Sequence, residues 1–321
     1  MERLTLAQFR ERSEDCERAV VAASSDGTVF CDGPLWQLAA HDHLHRTPVE
    51  ARHLIAERDG AWLLFAEQEQ ESPGILFPLE AAWMFGCPLV GEPEPAVDLL
   101  IEAGRQEPGL VVFIGGVEHQ GGLHRQLHRV RSRPGGIREF PGTDVMLIDL
   151  ADGVDAWLER RSKKFRRTLR TACEDDGAIG LADVSSEPPE RLFDRILAVQ
   201  RRTYKWREGT DIFLLPEYRA FYRDLLSGLH RTGHLRVIFA TRDGEDLAYI
   251  FGGILGRSYR GLQMSYIDEC RDLGLGNRLQ LENLRRCAEE GIATYDLGMH
   301  APYKERWADR IERRVGLLWV S

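Results

Sequence analysis

The segment of this chain that is best suited to bind a ligand is a glycine-containing turn between a predicted strand and a predicted helix. Residues 262–267 are rich in strand formers, and apolar residues recur at helical spacing over residues 279–288. Arg271, Gly274 and Gly276 lie between the two segments. A helix start offers unpaired backbone N–H groups and the positive end of the helix dipole, and glycine lets an anion approach that backbone closely. The turn therefore suits a pyrophosphate, although an ordinary strand–helix turn would also use glycine for its dihedral angles.

Cations are concentrated in residues 160–170, although the whole chain has a net charge of −9. Seven of these eleven residues are Arg or Lys, and a single helix starting near residues 152–155 is predicted to carry them. Such a run could cradle a phosphate-bearing coenzyme, a tRNA acceptor end or a polyanionic carrier. It could equally be a solvated helix face. The candidate substrate-binding cations are Lys163, Lys164, Arg166 and Arg167.

The elements around the glycine turn follow a definite order. Strands are predicted at Leu235–Thr241 and Leu247–Leu255, joined by a tight turn, and a strand at Thr294–Leu297 follows the helix. Arg-x-x-Gly-x-Gly in this context resembles the coenzyme A signature of the GNAT N-acyltransferase superfamily, which also places three antiparallel strands before it and a helix and strand after it. The resemblance implies that acetyl-CoA or another acyl-CoA binds at Arg271–Gly276.

Three other segments are similar to the CelD/BioF2-like branch of that superfamily. They are the basic stretch Ser162–Arg170, the helical segment Val199–Trp206, and Asp296-Leu297-Gly298 followed by Pro302–Trp307. The likeness covers about residues 145–321 well and the first half only in layout. That branch is related to the FemA/FemB-like transferases, which also use tandem GNAT domains but take aminoacyl-tRNA instead of an acyl thioester.

The first half of the chain repeats the second half in outline. After a predicted amphipathic helix over residues 2–20, a hairpin at 53–66 turns at Arg58-Asp59-Gly60, the tripeptide that recurs at 242–244. A strand, a helix and a strand follow, without Arg-x-x-Gly-x-Gly. We predict an α/β (α+β) fold of tandem GNAT-like domains, each a mixed, mostly antiparallel sheet flanked by helices. Residues 1–145 are the predicted degenerate N-terminal domain, with an unrelated α/β domain as the alternative, and residues 146–321 the catalytic domain.

The resemblance implies roles for the residues around the turn. The implied coenzyme-binding residues are Tyr266, Ile267, Arg271, Leu273, Gly274, Leu275, Gly276, Asn277 and Arg278, with Asn277 as a possible helix cap. Many GNAT enzymes place a tyrosine shortly after the next strand as the acid for the departing thiolate, and Tyr303 lies there, although it could instead be a core or interface residue. Tyr204 and Trp206 complete the substrate-binding set.

The remaining catalytic candidates are one cation and several possible bases. Lys304 could hold an anionic part of either substrate, although it could also be an ordinary surface lysine. Glu269 lies just past the strand where amine acceptors enter in GNAT folds, and His300 has a suitable unperturbed pKa. Asp268 and Asp296 are further candidates, and a water relay is an alternative to all of them.

Histidines occur in two groups, at residues 41, 43 and 45 and at residues 119, 124 and 128. His124 and His128 are four residues apart, a possible metal pair on a helix. No acidic or thiol ligand accompanies either group with a recognised spacing. We therefore expect solvated or hydrogen-bonded histidines and no metal. The six cysteines include no Cys-x-x-Cys pair, which argues against a zinc ribbon and fits reduced thiols.

Composition limits the remaining possibilities. The net negative charge argues against a general nucleic-acid binder, and no segment has the ~20 apolar residues of a membrane span. The charged N-terminus lacks the apolar core of a signal peptide, so we expect a soluble cytoplasmic protein.

Three functions remain open. The leading hypothesis is an acyl-CoA-dependent N-acyltransferase in which an amine of a small molecule, peptide or carrier attacks the thioester directly. The second is a Fem-like transferase that forms amide bonds from aminoacyl-tRNA. The basic segment supports the second hypothesis and the intact Arg-x-x-Gly-x-Gly weighs against it. The third is a non-catalytic binding module that retains the fold.

Overall fold

The computed structural model describes residues 1–24, 29–45, 51–68, 74–129, 136–174 and 179–321. The chain divides into two compact units, which we call unit 1 (Met1–Val145 with Ile311–Ser321) and unit 2 (Met146–Arg310). The first segment of unit 1 ends at Val145, and residues 311–321 lie in unit 1 and not with residues 146–310.

The elements are numbered in chain order. The strands are β1 (Glu2–Leu4), β2 (His53–Arg58), β3 (Ala61–Glu67), β4 (Ile75–Pro78), β5 (Leu89–Val90), β6 (Val111–Glu118), β7 (Ile137–Pro141), β8 (Val145–Asp149), β9 (Gly180–Asp183), β10 (Leu235–Arg242), β11 (Glu245–Leu255), β12 (Ser258–Tyr266), β13 (Thr294–Met299), β14 (Arg310–Glu312) and β15 (Arg314–Val320). The α-helices are α1 (Leu6–Glu11), α2 (Ser13–Ala23), α3 (Pro34–Leu44), α4 (Pro93–Gln106), α5 (Gly122–Arg129), α6 (Gly153–Glu159), α7 (Lys163–Cys173), α8 (Pro189–Gln200), α9 (Tyr204–Arg207), α10 (Pro216–Arg231) and α11 (Leu275–Glu289). Short 3₁₀ helices cover Phe30–Asp32, Ile212–Leu214, Asp268–Leu273 and Pro302–Lys304.

Unit 1 is built on a sheet in the order β1-β2-β3-β4-β6-β15-β7, with β5 paired to β3. Every pair is antiparallel except β4 with β6. Helix α4 packs its apolar face on this sheet, and Leu99 and Leu100 are fully buried beside Leu63, Phe65 and Ile114. The final strand β15 enters the sheet between β6 and β7, which explains why the last segment of the chain belongs to unit 1.

The N-terminus differs from its prediction. Strand β1 and the helices α1 and α2 replace the single helix expected over residues 2–20. The break falls at Arg12 (φ −103°, ψ 14°), whose guanidinium donates hydrogen bonds to Glu2 at 2.7 Å and Glu57 at 3.1 Å. Because Glu57 is a tertiary partner on β2, a pattern read along the chain could not reveal the break.

Unit 2 is built on a sheet in which β8, β13, β12, β11, β10 and β9 follow one another. Pairing is antiparallel for β9–β10, β10–β11 and β11–β12, and parallel for β12–β13. The core between the sheet and helices α6, α7 and α11 includes Trp157, Leu169, Tyr259, Leu284 and Trp307. The predicted order of three antiparallel strands, helix and strand is confirmed.

Both predicted hairpins are present, and their turns have the same conformation. Asp59 and Gly60 have φ values of 53° and 81°, and Asp243 and Gly244 have values of 52° and 80°. Two successive positive φ values define the tight turn that matches the twist of a hairpin, and Asp-Gly is a favoured pair for it.

Candidate functional site

Strand β12 separates from its neighbour β13 partway along its length. The two strands pair in parallel only from Ser258 with Thr294 to Arg260 with Asp296. The remainder of β12, residues 261–266, is half-buried. On its other side β12 continues to pair with β11, with a bulge that leaves Leu262 without a partner. Bulges of this kind bend a strand and often occur beside active sites.

The exposed edge of β12 leaves particular backbone groups available. The Ile267 amide donates to the Leu247 carbonyl at 2.9 Å. Because hydrogen-bonded pairs alternate along an antiparallel ladder, the amides of Met264 and Tyr266 face the β13 side. Of the two residues at the strand end that were predicted to contact the coenzyme, Tyr266 therefore has an outward-facing amide, whereas Ile267 is buried and its amide is already bonded.

Helix α11 follows β12 after the 3₁₀ helix Asp268–Leu273, and its first turn is open. Gly274 precedes it in the left-handed region (φ 64°), and its carbonyl accepts from the amides of Asn277 at 3.0 Å and Arg278 at 3.1 Å. Among the residues that the structure describes, the amides of Leu275 and Gly276 donate no hydrogen bond, and the first turn has no acidic side chain. The predicted cap is corrected: Gly274 occupies the cap position and Asn277 lies inside the helix, because only glycine takes the left-handed conformation at low cost.

The two glycines of the turn have different physical reasons to be glycine. A Cβ added to Gly274 would lie 3.0 Å from the Cβ of Ala172 on α7, and the residue also has positive φ. A Cβ added to Gly276 would meet nothing closer than the Met264 side chain at 3.6 Å, an ordinary contact. The fold therefore needs glycine at residue 274, whereas at residue 276 the absent side chain only leaves space above the first turn of α11.

The other predicted coenzyme residues lie around this turn. Arg271 is exposed and Leu273 half-buried on the 3₁₀ helix Asp268–Leu273. Arg278 is buried, and its Nη2 donates to the Ile179 carbonyl at 3.3 Å. Its guanidinium therefore serves the interior of unit 2, and of the two predicted arginines Arg271 is the one exposed to solvent.

A buried ion pair lies at the point where β12 and β13 separate. Arg260 Nη1 and Asp296 Oδ2 are 2.6 Å apart, and both side chains are at least 95% buried. The second carboxylate oxygen of Asp296 accepts from the Gly298 amide at 2.6 Å, where Gly298 has φ 82°. Asp296 was a candidate base, but these partners hold its carboxylate in a structural role. Arg260 was not anticipated, because a lone arginine in a strand gives no signal of burial.

Tyr303 and Lys304 lie on the short 3₁₀ helix that follows β13. Tyr303 is 58% exposed, so the alternative of a core tyrosine is excluded. Desolvation, followed by the nearby Tyr204, raises the pKa of Tyr303, which keeps its hydroxyl protonated at neutral pH. Lys304 Nζ lies 5.7 Å from the Tyr303 ring and donates to the Met299 carbonyl at 2.9 Å. Desolvation and the positive charge of Arg260 lower the pKa of Lys304 to about 8.

Two of the predicted bases, Glu269 and His300, are exposed and have ionic partners. Glu269 is 63% exposed and lies 3.5 Å from Arg202 Nη2. His300 is 41% exposed, and its Nε2 lies 3.1 Å from Glu305 Oε1. Asp268 accepts from the Tyr204 amide at 2.9 Å and ties α9, with Tyr204 and Trp206, to the end of β12.

The basic segment forms two helices and not one. Helix α6 ends at Glu159 and α7 begins at Lys163, where Ser162 caps it by accepting from the Phe165 amide at 3.2 Å. In the break, Arg160 and Arg161 pair with Asp309, and Arg161 also donates to the carbonyls of residues 307 and 308. These two arginines therefore fix the segment that follows Tyr303.

The four predicted substrate-binding cations, which we call the α7 cations, are all exposed on the first turns of α7: Lys163, Lys164, Arg166 and Arg167. Phe165 and Leu169 are buried and anchor the opposite face of the helix. Arg166 also lines a cavity of about 350 Å³ together with Arg170 and Arg285. The apolar residues Leu158, Leu169 and Leu281 line the same cavity. The exposed cations are thus available to bind an anion. The same exposure is also expected of a solvated helix face.

Comparison with known proteins agrees with this geometry. Residues 159–305 match the family model of an acetyltransferase (GNAT) domain. The solved structure of FemX superposes with a TM-score of 0.70 at 13% identity, over 100% of this chain and 98% of that one. A conserved protein of unknown function from Bacteroides thetaiotaomicron gives 0.63 at 13% over 100% and 99%, and L-PGS from Bacillus licheniformis gives 0.54 at 11% over 95% and 90%. No curated protein matches the sequence.

The match and the superpositions bear on both units. The chain has a tandem GNAT-like fold similar to that of FemX, and the residues that match the acetyltransferase (GNAT) domain model, 159–305, lie within unit 2. The domain match supports an acyltransferase enzyme. Each helix in the described part of the chain is too short or too polar to span a bilayer.

Proposed function

We propose that the protein is an acyl-CoA-dependent N-acyltransferase whose site lies in unit 2 between the open edge of β12 and the first turn of α11. The observation that carries the proposal is the open turn itself. Its Leu275 and Gly276 amides donate to no described residue, no acidic side chain accompanies them, and space remains where Gly276 has no Cβ. A packed structural turn would have no need of that space.

Coenzyme A fits these residues on chemical grounds. Its pyrophosphate requires N–H donors and positive potential, which the start of α11 offers, with Arg271 exposed beside it. Its pantetheine arm carries amides, and the edge of β12 at Met264 and Tyr266 could bond them as a strand would. The residues that would hold the coenzyme are therefore Arg271, Leu275, Gly276 and the edge of β12.

The chain's own residues then have distinct tasks. When bound, the coenzyme supplies an acyl thioester that an amine can attack. The outward-facing amide of Tyr266 or Met264 is suited to stabilise negative charge that develops on an acyl oxygen. The Tyr303 hydroxyl, whose pKa is raised, keeps a proton to donate. Lys304, with its pKa lowered to about 8, is partly neutral at slightly alkaline pH and can accept a proton from the attacking amine.

An aminoacyl-tRNA donor is the second candidate. The α7 cations and the likeness to FemX over the full chain favour it. A tRNA end would use these exposed cations, whereas it has no need of a pyrophosphate site at α11. The two candidates thus depend on different surfaces of unit 2, and variants can separate them.

Calorimetry with coenzyme A and acetyl-CoA is the deciding experiment. We expect stoichiometric binding by the wild-type chain, followed by release of free thiol when a panel of amines is added with acetyl-CoA. Absence of binding at millimolar coenzyme A would refute the proposal. Transfer from aminoacyl-tRNA without coenzyme binding would support the second candidate, and coenzyme binding without turnover on any amine would indicate a binding module.

A further inference from the structure

Three histidines and a glutamate meet in unit 1, far along the chain from the residues of the proposed transferase site. His119 follows the end of β6, His124 and His128 lie on α5, and Glu139 lies on β7. His124 Nε2 is 3.1 Å and His128 Nε2 is 3.3 Å from Glu139 Oε2. His119 Nδ1 is 3.7 Å from Glu139 Oε1. We call these four residues the His₃Glu cluster.

The fold brings the cluster together from three elements. The i, i+4 spacing of His124 and His128 places both rings on one face of α5, with centroids 4.4 Å apart. The His119 ring lies 5.0 Å from that of His124. Strand β7 pairs with β15, which carries Glu139 to the same place. Because ten residues lie between His128 and Glu139, no recognised motif spacing includes the carboxylate, which explains why no metal was expected.

Hydrogen bonding explains only part of the arrangement. His119 Nδ1 is buried and has no hydrogen-bond partner among the described residues, because 3.7 Å to Glu139 is too long for a hydrogen bond.

We propose that the His₃Glu cluster binds a divalent transition-metal ion, with zinc as the ion that fits best. Zinc takes imidazole nitrogen and carboxylate oxygen at about 2.0–2.1 Å in a tetrahedron, which sets neighbouring ligand atoms about 3.4 Å apart. The separation from His124 Nε2 to Glu139 Oε2 is 3.1 Å and that from His119 Nδ1 to Glu139 Oε1 is 3.7 Å, on either side of that value. Among the described residues, His119, His124 and Glu139 form the one group whose ligand atoms converge in this way.

The convergent set has three protein ligands, His119, His124 and Glu139. Three ligands leave the fourth position of a tetrahedron to a water molecule, while His128 hydrogen-bonds the Glu139 carboxylate from outside the set. A bound ion would link three elements, namely the end of β6, helix α5 and strand β7, and so stabilise one edge of the unit 1 sheet. The site belongs to the domain that is not expected to bind the coenzyme, and it does not depend on the proposed transferase activity.

The test uses the full chain without a histidine tag, stripped with a chelator and titrated with zinc against a chromophoric competitor. The variants are His124→Asn and Glu139→Gln, with His230→Asn on α10 as the matched control outside the cluster. We expect one zinc per wild-type chain, a loss of affinity of at least ~100-fold in both variants, and wild-type affinity in the control. Cobalt in place of zinc should give the intense visible absorption of a tetrahedral site in the wild type and in the control, but not in the two cluster variants.

The proposal fails if the wild-type chain binds no zinc at micromolar free ion, a result that needs no variant. It also fails if both cluster variants bind zinc as the wild type does. Circular dichroism and melting of the metal-free variants check that they fold. Glu139→Gln keeps the size and polarity of the side chain and remains informative if His124→Asn unfolds.

Discussion

Replacing Gly276 with Asp should weaken coenzyme A binding and stabilise the fold. Because the two effects have opposite signs, one variant distinguishes coenzyme binding from folding. The added Cβ meets no described atom closer than 3.6 Å, so the folded chain has room for it. A carboxylate in the first turn of α11 complements the helix dipole by about 0.3–1 kcal/mol, and removing a helical glycine adds a few tenths. We therefore expect the melting temperature to rise by about 1–4 °C.

The effect on binding is larger and unfavourable. A carboxylate about 4 Å from a phosphate repels it by about 4 kcal/mol at an effective dielectric constant of 20 and by about 1 kcal/mol in water. Gly276 is half-buried, so an intermediate cost of about 1.5–3 kcal/mol applies. Coenzyme A affinity should then fall by about 10- to 150-fold, and more if the carboxylate also occupies space that the pyrophosphate needs.

Isothermal titration calorimetry with coenzyme A, paired with thermal melting, measures both effects. Gly276→Asn is the matched control, because it has the same shape without the charge and should weaken binding much less. Gly274→Ala is the opposite control: positive φ and the 3.0 Å contact with Ala172 predict a lower melting temperature. A folded Gly276→Asp protein with unchanged coenzyme affinity would show that the site is misassigned.

Four further changes test the other parts of the site. Tyr303→Phe should lower kcat by about 10²–10⁴-fold with coenzyme affinity unchanged; full kcat with chemistry rate-limiting would make the residue structural. In the wild type, kcat/KM should rise with pH through about 8 as Lys304 loses its proton, and Lys304→Gln should remove that rise; an unchanged profile would exclude it as the base. Replacing all four α7 cations with Gln should raise KM for a phosphate-bearing substrate and flatten its salt dependence, whereas unchanged kinetics at low salt would assign them to a solvated face. Asp296→Asn removes the carboxylate beside buried Arg260 and should cost roughly 3–5 kcal/mol of unfolding free energy in denaturant titrations, against under ~0.5 kcal/mol for exposed Asp272→Asn; equal costs would contradict the structural role.

Local chemistry made the hairpins and the strand–turn–helix predictable. An Asp-Gly pair takes two positive φ values at little cost, so Asp59-Gly60 and Asp243-Gly244 mark their turns regardless of the surroundings. The glycines at 274 and 276 likewise marked the start of α11. In each case the residues that decide the backbone are neighbours in sequence.

Features that depend on distant partners were not predictable. The break before α7 is accompanied by pairing of Arg160 and Arg161 with Asp309, almost 150 residues away, and along the chain the cations read as one helix. The bulge at Leu262 comes from the register with β11, which alternation in a single strand does not reveal. Glu139, the partner of His124, lies on a different element, so this contact could not be predicted from the residues next to His124 either. Gly274 and Gly276 also looked equivalent in the motif, and only their different surroundings in the fold distinguish them.

The buried pair of Arg260 and Asp296 connects the geometry of the proposed site to its electrostatics. Buried ion pairs are weak sources of stability, since apolar residues of similar volume often serve as well or better. This pair lies where β12 and β13 stop pairing, and Asp296 also accepts from the Gly298 amide, so it fixes the direction of the chain that leads to Tyr303 and Lys304. The charge on Arg260 helps to lower the pKa of Lys304, while Asp296 opposes that shift. An apolar pair could hold the strands together, but it would remove the charge contributions of Arg260 and Asp296 to the pKa of Lys304, which add to the larger effect of burial. We infer that an ion pair occupies this position because Arg260 and Asp296 both fix the point where β12 and β13 separate and contribute to the pKa of Lys304.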